Sequence, residues 1–297
     1  MPSTSSASSP SSSVFLVSGA SRGLGREIVR AAAEAGHRVV AGVRSPKSLE
    51  DLAERYGDRL VVVPLDVTDD EQVQGAVRTA VDRFGRLDVL VNNAGYANVG
   101  SVEDVDFDDF RTQVDTNFYG VVRLTRAAVP VMREQGAGHI IQVSSVGGRL
   151  ATPGLSAYQS SKWAVGGFSS VLNAEVAPLG IKVTVLEPGG MSTEWAGSSM
   201  RVDPIRPEYQ QTVGASAGMH TSGSVTAASD PAKVARLVLD VVALPEPPLR
   251  LLVGADAFRY ATAAGRALLA SDEEHRALSE STTADGATAE HLNPLGH

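Results

Sequence analysis

The 297-residue sequence contains no cysteine. This absence excludes disulfide frameworks, thiolate zinc sites, iron–sulfur ligation and cysteine nucleophiles. The chain also lacks an excess of positive charge, because its formal net charge is −8. Proteins that bind nucleic acids or anionic membranes normally carry a basic face, so the charge balance argues against both classes of partner. A local basic patch remains compatible with this balance.

Long apolar runs are missing as well, since no stretch approaches the roughly 18 apolar residues of a membrane span. Residues 1–13 contain eight serines and two prolines and show neither the basic start nor the apolar run of an export signal. We therefore expect a disordered tail over residues 1–13 and a soluble, cytoplasmic protein. The six histidines show no metal-ligand spacing, so no metal site is predicted.

From Val14 onward, seven short apolar runs alternate with amphipathic stretches that are long enough for crossover helices. The runs lie at 14–17, 38–43, 60–63, 87–91, 139–143, 181–186 and 249–253. Their near-continuous apolar character suits strands that are covered on both faces. The pattern predicts an α/β fold with one doubly wound, parallel, seven-stranded sheet, the Rossmann fold, in a single domain over residues 14–270.

Two regions interrupt this alternation. Residues 190–229 are rich in Gly, Ser, Thr and Ala, and an irregular insertion of this length predicts a substrate lid. The chain turns polar after Ala270, which predicts a frayed tail over residues 271–297 behind a last helix at about 255–270. Elsewhere, Thr68 and Glu71 have the spacing of a capping box before a helix that runs to about Phe84.

The segment Ser18–Gly25 joins the first predicted strand to the first predicted helix and contains Gly19, Gly23 and Gly25. Glycines at such a turn let the backbone approach a pyrophosphate, which free amides and the helix dipole stabilise. Glycines also serve ordinary tight turns, but the position between strand and helix favours a dinucleotide site. The spacing Gly-x-x-x-Gly-x-Gly resembles that of the short-chain dehydrogenase/reductase family, with Ser18 in place of the usual threonine.

The end of the second predicted strand indicates which dinucleotide would bind. A carboxylate there would accept hydrogen bonds from a ribose diol and repel a 2′-phosphate, whereas a guanidinium would do the reverse. The strand ends at Val43 without an acid, Arg44 follows it, and Arg22 lies in the glycine turn. Either arginine alone is equally consistent with a solvated surface group. Together they favour NADP(H) over NAD(H).

Tyr158 and Lys162 are four residues apart in a segment with helical character, which places both side chains on one helix face. An ammonium beside a phenol lowers the tyrosine pKa, so the pair can exchange a proton with a carbonyl or alcohol oxygen. A hydroxyl is also needed to orient that oxygen. Ser145 ends the fifth strand, thirteen residues before Tyr158, at the spacing usual in the family; Ser144 is expected to be structural.

The resemblance to the short-chain dehydrogenase/reductase family extends over residues 14 to about 255 and implies further roles. It implies that Asn117 bends its helix, expected over about 106–134, and holds a water that relays protons to Lys162. Asp66 would contact adenine, unless it only caps the next helix. The cofactor residues implied by the motifs are Gly19, Ser21, Arg22, Gly23, Leu24, Arg44, Asp66, Val67, Asn93, Ala94, Gly95, Tyr158, Lys162, Pro188, Gly189, Met191 and Thr193.

These features predict an NADPH-dependent carbonyl reductase that works in reverse as a secondary alcohol dehydrogenase. The alternatives are a nicotinamide-binding redox regulator without turnover, and a dehydratase or epimerase on the same fold. The candidate pocket residues, taken from their positions beside the motifs, are Tyr96, Gly147, Arg149, Leu155, Met191, Trp195 and Met200. They are consistent with a fairly apolar, bulky substrate, and surface packing explains them equally well. The resemblance further implies a homodimer or homotetramer formed by the helices that carry Asn117 and Tyr158.

Overall fold

The seven apolar runs form seven strands of a single sheet in the computed structural model, which describes residues 12–191, 200–221 and 228–294. The nine described strands are β1 (Val14–Ser18), β2 (Arg38–Val43), β3 (Leu60–Pro64), β4 (Val89–Asn92), β5 (Asn98–Val99), β6 (Gly138–Val143), β7 (Ile181–Pro188), β8 (Arg201–Val202) and β9 (Arg250–Val253). The large sheet has the order β3-β2-β1-β4-β6-β7-β9 and is parallel throughout. The predicted fold class is therefore confirmed.

Helices cover both faces of this sheet. The described helices are α1 (Gly23–Glu34), α2 (Glu50–Tyr56), α3 (Asp70–Phe84), α4 (Phe107–Val114), α5 (Gly120–Gln135), α6 (Ser156–Val176), α7 (Ala215–Thr221), α8 (Pro231–Ala243), α9 (Ala255–Glu274), α10 (Arg276–Glu280) and α11 (Ala289–Leu292). Strand side chains alternate between the faces. Phe15 and Val17 of β1 accordingly belong to the core that contains the buried side chains of α1 and α8, whereas Val14 and Leu16 belong to the core under α3, α5 and α6.

The helix boundaries differ from the sequence-based expectations in three places. Asp69, not Thr68, caps α3, because its carboxylate accepts from the amides of Glu71 and Gln72 at 2.9 and 3.1 Å. The expected helix over 106–134 is divided by a π-helical turn, Asp115–Tyr119, between α4 and α5. Helix α9 continues to Glu274, past the expected start of the tail, since alanine, leucine and glutamate favour helix there.

The predicted lid and tail regions are described only in part. Residues 192–199 and 222–227 of the lid and residues 1–11 of the tail lie outside the described residues. Within the described part of the lid, β8 pairs in parallel with β5, and α7 follows. The Ser12 hydroxyl donates to the Gly36 carbonyl at 3.0 Å, and the Ser13 amide donates to His37 Nδ1 at 3.2 Å, so the last two residues of the predicted tail are attached to the domain.

Candidate active site

The candidate site lies at the carboxyl edge of the large sheet, where β1 has β2 on one side and β4 on the other. Strand order changes direction at β1, and open parallel sheets bind ligands in the crevice at such a point. The turn after β1, the Asn93–Gly95 segment after β4, Ser145 after β6 and the Gly189–Gly190 turn after β7 all meet this edge. The motifs that the sequence placed far apart are therefore collected along one edge.

Close packing explains the glycines of the first turn. Gly19 has a φ of +65°, and a side chain there would place its Cβ 2.7 Å from Ala94 Cα. The amides of Asn93 and Ala94 donate to the Ser18 hydroxyl at 3.1 and 3.2 Å. The Asn93 side-chain amide in turn donates to the carbonyl of Ser18 at 3.0 Å and to that of Gly19 at 3.1 Å. Ser18 stands where the family usually has threonine, and its hydroxyl thus holds the turn against the segment that follows β4.

The residues of this turn fit a pyrophosphate. Helix α1 begins at Gly23. Its N-cap residue is Arg22, whose side chain makes no capping hydrogen bond to the amides of the first turn. That turn, Gly23–Arg26, contains no carboxylate, so its free amides and the positive end of the helix dipole have no anion from α1 itself. Arg22 is exposed beside it. An anionic group is the ligand that this helix end favours.

The residues expected at the adenosine end lie close to the ends of β2 and β3, with differing exposure. Arg44 follows β2 and is exposed. The Asp66 carboxylate accepts from the Thr68 amide at 2.9 Å and from its hydroxyl at 2.7 Å, as a turn residue does. Val67 is buried, and a methyl group on Gly120 would lie 2.9 Å from its Cβ. The Val67 side chain is therefore part of the packing against α5, which leaves only its backbone for a ligand.

Ser145, Tyr158 and Lys162 come together as expected. Helix α6 places Tyr158 and Lys162 on one buried face, with Lys162 Nζ 5.7 Å from the centre of the tyrosine ring. Lys162 Nζ donates to the Val143 carbonyl at 2.8 Å. The Ser145 hydroxyl accepts from the Gly147 amide at 3.0 Å and hydrogen-bonds the Tyr158 side chain. The Ser144 hydroxyl donates to the Lys162 carbonyl at 3.2 Å, which is the structural role expected of it.

Burial governs the pKa values of this cluster. Removal from water raises the pKa of Tyr158 to about 12, although the hydrogen bond from Ser145 acts in the opposite direction. Burial likewise lowers the pKa of Lys162 to about 8. Without a bound cofactor, the pKa of Tyr158 is therefore raised by burial, and the lowering effect of Lys162 stays a prediction for the loaded site. The ammonium lies over the ring and bonds Val143, and burial disfavours the charged form of both groups.

Asn117 lies in the π-helical turn between α4 and α5 and is fully buried. Its side chain accepts from the Tyr96 amide at 3.0 Å and donates to the Tyr96 carbonyl at 2.8 Å. A Cβ on Gly95 would lie 3.1 Å from Asn117 Oδ1 and 3.6 Å from Lys162 Nζ, so the two side chains lie against the same glycine. The asparagine side chain clamps the chain after β4 beside the lysine.

The turn after β7 is held by the C-terminal part of the chain. The Gly189 amide donates to the Val253 carbonyl at 3.0 Å, and the Gly190 amide donates to the Asp256 carboxylate at 2.8 Å. A side chain on Gly189 would overlap that carboxylate. Sequence reasoning missed Asp256, whose acidic side chain in the first turn of a helix gave only a helix-start signal. The expected contacts Thr193 and Trp195 lie outside the described residues.

Tyr158 also belongs to an apolar cluster of buried side chains. The predicted pocket residue Leu155 belongs to it, and Met200 packs against it from the lid. Its buried members are Ala97, Val99, Leu155, Tyr158, Val213 and Ala217, with Met200, Val202, Ile205 and Tyr209 packed against them. The spacing of Tyr209, Val213 and Ala217, four residues apart, is the helical signal that would have revealed this wall of the cluster.

Tyr96, Gly147, Met191 and Arg149 have different surroundings. Gly147 lies beside Ser145, since its Cβ would be 3.3 Å from the Ser145 hydroxyl. Tyr96 is half-buried, and its pKa is raised by burial and by the Asp109 charge. Met191 bridges to Ser229 and packs against the core on the α1 side of the sheet. Arg149 pairs with the buried Glu187, and its assignment to the substrate pocket stays a prediction.

Ion pairs attach the lid to the start of α4. Arg201 pairs with Asp109, and Arg206 pairs with Glu103 and Asp104. The Tyr209 hydroxyl also donates to Glu103 at 2.9 Å. The acidic residues Glu103, Asp104 and Asp109 therefore hold the described part of the lid beside the apolar cluster.

Among residues 12–191, 200–221 and 228–294, no group of three or more His, Cys, Asp or Glu side chains is arranged to hold a metal ion. In the same ranges, no helix combines the length and apolarity needed to cross a bilayer.

Comparison with known proteins identifies the family. The family model for short chain dehydrogenase matches residues 13–202. Oxidoreductase BOA17 of Botryotinia fuckeliana is 54% identical over 267 residues, which cover 90% of this chain and 97% of the relative. A short-chain dehydrogenase structure from Streptomyces avermitilis is 38% identical with a TM-score of 0.87 and covers 92% of this chain and 99% of its own. The chain belongs to the short-chain dehydrogenase/reductase family and is an NAD(P)-dependent oxidoreductase.

Solved structures with bound cofactor include both forms of the dinucleotide. A serine dehydrogenase complexed with NADP+ is 30% identical, with a TM-score of 0.71, and the match covers 81% of this chain and 94% of that one. A 3-ketoacyl-(acyl-carrier-protein) reductase from Brucella melitensis complexed with NADH is 27% identical, with a TM-score of 0.69, and the match covers 82% and 96%. The family thus binds a nicotinamide dinucleotide, and the choice between the two forms depends on each chain's own residues.

Proposed function

We propose that the protein is an NADPH-dependent carbonyl reductase that also oxidises secondary alcohols. The observation that supports this function best is the Ser145–Tyr158–Lys162 cluster, whose tyrosine and lysine are buried and which lies at the same sheet edge as the uncapped start of α1. A phenol, a hydroxyl and an ammonium in contact are the groups that protonate a carbonyl oxygen. The bound dinucleotide supplies the hydride that completes the reduction.

In this mechanism the carbonyl oxygen binds between the Ser145 and Tyr158 hydroxyls. Tyr158 gives its proton to that oxygen as the carbonyl carbon accepts the hydride, and the phenolate that remains recovers a proton from solvent. Lys162 stabilises the phenolate while it exists, because an ammonium in a buried site interacts strongly with a nearby anion. We further propose the water relay past Asn117 as the route of the returning proton, which is supported by the common contact of Asn117 and Lys162 with Gly95.

The remaining cofactor contacts are also proposed from position. The pyrophosphate would bind the turn from Gly19 to Leu24, which includes Ser21 and Arg22. The adenosine would bind Asp66 and the backbone at Val67, and the nicotinamide half would bind the segment from Ala94 to Gly95 and the turn from Pro188 to Met191. Thr193 stays in this set as a prediction from the family motif.

NADP(H) preference is proposed because Arg44 is exposed at the end of β2. For Arg44→Asp, we expect the kcat/KM for NADPH to fall about 10–100-fold, since a charge-assisted bond to a 2′-phosphate is lost, while the value for NADH is retained or rises. Steady-state kinetics with both cofactors measure the change. Arg266→Asp on exposed α9 alters the net charge equally and serves as the control. An unchanged NADPH to NADH ratio in Arg44→Asp contradicts the assignment.

The pH dependence should report Lys162, whose pKa of about 8 lies far below the usual lysine value. At saturating NADPH, the kcat/KM for carbonyl reduction should be level below about pH 8 and fall tenfold per pH unit above it, as the ammonium is lost. Tyr158, with its pKa of about 12, stays protonated across this range.

Thermal unfolding across the same pH range separates this effect from denaturation. Between about 8 and 10.5, the unfolded chain binds the Lys162 proton and the folded chain does not, so this group makes stability rise with pH while activity falls. A flat rate profile, or a rate that falls only where the protein unfolds, contradicts the role of Lys162.

The substrate is proposed to be an apolar, bulky ketone, aldehyde or secondary alcohol. The cluster around Tyr158 supports this class, because the lid contributes Met200, Val202 and Ile205 to it. The ion pairs of the lid lie outside the cluster, where Arg201 and Arg206 pair with Asp109 and Glu103. Such a site favours substrates that remove apolar surface from water.

A cytoplasmic homodimer or homotetramer is likewise proposed. Trp163 and Val171 on α6 and Tyr119 at the end of the π-helical turn are each more than half exposed, at 52, 60 and 52%. Large apolar side chains along the helices that carry the catalytic groups support self-association through that face.

A further inference from the structure

A buried carboxylate with two arginine partners lies next to the proton-transfer cluster but outside it. Glu187, the penultimate residue of β7, is fully buried. Its Oε2 lies 2.5 Å from Arg149 Nη2, and its Oε1 lies 3.2 Å from Arg250 Nε. An ionised carboxylate without access to water requires such cations, because an unpaired buried charge is strongly disfavoured. We call these residues the Arg149–Glu187–Arg250 triad.

Each member of the triad belongs to, or contacts, a different segment of the candidate active site. Arg149 follows the single 3₁₀ turn, Val146–Gly148, that begins directly after Ser145. Glu187 precedes the Pro188–Gly189 turn. The third member, Arg250 of β9, covers the surface of α6, where a side chain on Gly166 would overlap its guanidinium.

The triad therefore connects the three segments whose relative positions determine the reaction. The first contains the hydroxyl of Ser145, the second is the α6 helix with Tyr158 and Lys162, and the third is the turn proposed to face the nicotinamide. Glu187 is also the least exposed carboxylate among the ion pairs of the described residues, with 1% of its side chain accessible against 54% for Glu273 on α9. The arginine side chains are 32 and 34% exposed, but the carboxylate that they share is shielded from water, so the loss of a partner should be felt by all three segments.

We propose that the Arg149–Glu187–Arg250 triad is a positioning device that fixes the Ser145 loop, α6 and the turn after β7 relative to one another for hydride and proton transfer. The proposal rests on the proposed function, because that function defines the reacting groups. The three residues act through their neighbours and are not themselves catalytic. A misplacement of about 1 Å between reacting groups costs about 100-fold in rate, so a rigid connection has a measurable effect.

Kinetics of four variants test this role. Glu187→Gln keeps the shape and removes the charge, and Arg149→Met removes one cation; we expect each to lower kcat about 10–100-fold. The KM for NADPH should change less than about threefold, because the glycine turn is untouched, and the primary deuterium isotope effect on kcat should rise as hydride transfer becomes slower. Arg149→Lys restores a cation and should recover part of the rate. Glu273→Gln, which disrupts an exposed pair with Arg276, is the matched control and should behave as wild type.

Hydrogen exchange measured by mass spectrometry gives a readout that does not need turnover. In Glu187→Gln and Arg149→Met, the peptides over 144–150 and 186–191 should exchange faster, while the rest of the chain keeps its protection. If Glu187→Gln does not fold, the comparison of Arg149→Met with Arg149→Lys decides the question.

Folded Glu187→Gln and Arg149→Met proteins with kcat within about twofold of wild type would overturn the proposal, given the rate cost of a lost position. Faster exchange spread over the whole chain would overturn it as well, since it would indicate a general loss of stability. If the wild-type protein reduces no carbonyl compound, the proposed function fails, and the local exchange result still decides whether the triad holds these segments together.

Discussion

Replacement of Tyr158 by phenylalanine is expected to lower the rate of carbonyl reduction about 10²–10⁴-fold, the usual contribution of a general acid. The substitution removes only the hydroxyl that bonds Ser145, and the ring can keep its place in the apolar cluster. NADPH binding should remain within about twofold of wild type, because most of the proposed cofactor contacts lie outside Tyr158, on the glycine turn, at the ends of β2 and β3 and on the turn after β7. Single-turnover oxidation of NADPH measures the rate, and fluorescence titration measures the binding.

Tyr56→Phe is the matched control for this experiment. The Tyr56 hydroxyl donates to Glu34 at 3.0 Å at the opposite end of α1 from the glycine turn, so the same atom is removed without touching the cluster. That loss should cost about 1 kcal/mol of stability and leave the rate unchanged. A tenfold loss of rate corresponds to about 1.4 kcal/mol of lost transition-state stabilisation. If Tyr158→Phe keeps a tenth or more of the wild-type rate, the assignment of Tyr158 as the proton donor is contradicted.

Replacement of Lys162 by methionine is expected to have the second largest effect, about a 10²-fold loss of kcat or more. The ammonium is the buried cation nearest to Tyr158 on α6, and without it the phenolate formed during reduction loses its stabilising charge. Stability should change far less than activity. The Val143 carbonyl loses its 2.8 Å partner, but the cost of burying an ammonium disappears at the same time.

Lys182→Met provides the matched comparison. Lys182 Nζ donates to the Leu244 carbonyl at 3.3 Å from the far end of β7, so the same side chain and the same type of bond are altered outside the site. Urea unfolding and kcat are measured on both variants. If Lys162→Met loses activity only in proportion to its loss of folded protein, Lys162 has a structural role and the mechanism is wrong.

The large sheet could be predicted from the sequence because each of its strands is a continuous apolar run, and crossover helices of fitting length separate the runs. The Ser145, Tyr158 and Lys162 contacts follow from the same regularity. Ser145 lies two residues after the end of a strand and the other two lie one helical turn apart, so local geometry brings them to one edge. The sequence pattern therefore predicts the position of a residue wherever that position depends on helical spacing or on the end of a strand.

Other features depend on partners that are distant in sequence. Arg149 pairs with Glu187, which lies 38 residues further along the chain in a buried strand. A single sequence contains no signal that links this arginine to that carboxylate. Strands β5 and β8 contain two residues each, too few for any periodicity. The π-helical turn at Asn117 is equally hidden, because a helix with one wider turn keeps almost the same apolar pattern.

The proposed cofactor preference could be predicted only in part from the sequence. The residues after β2 are local, so the exposed position of Arg44 agrees with its place in the sequence. The pKa of Tyr158 could not be predicted in this way, since its burial depends on the apolar cluster, to which the lid contributes Val213 and Ala217.

The most direct test of the account is a panel of apolar ketones and aldehydes assayed by nicotinamide absorbance, with NADPH and NADH in parallel and with product identification. The account predicts oxidation of NADPH in equal amount to a secondary or primary alcohol product, a slower reaction with NADH, and loss of both in Tyr158→Phe. Tight NADPH binding without oxidation by any carbonyl compound, or a product formed without net oxidation of the cofactor, would contradict it.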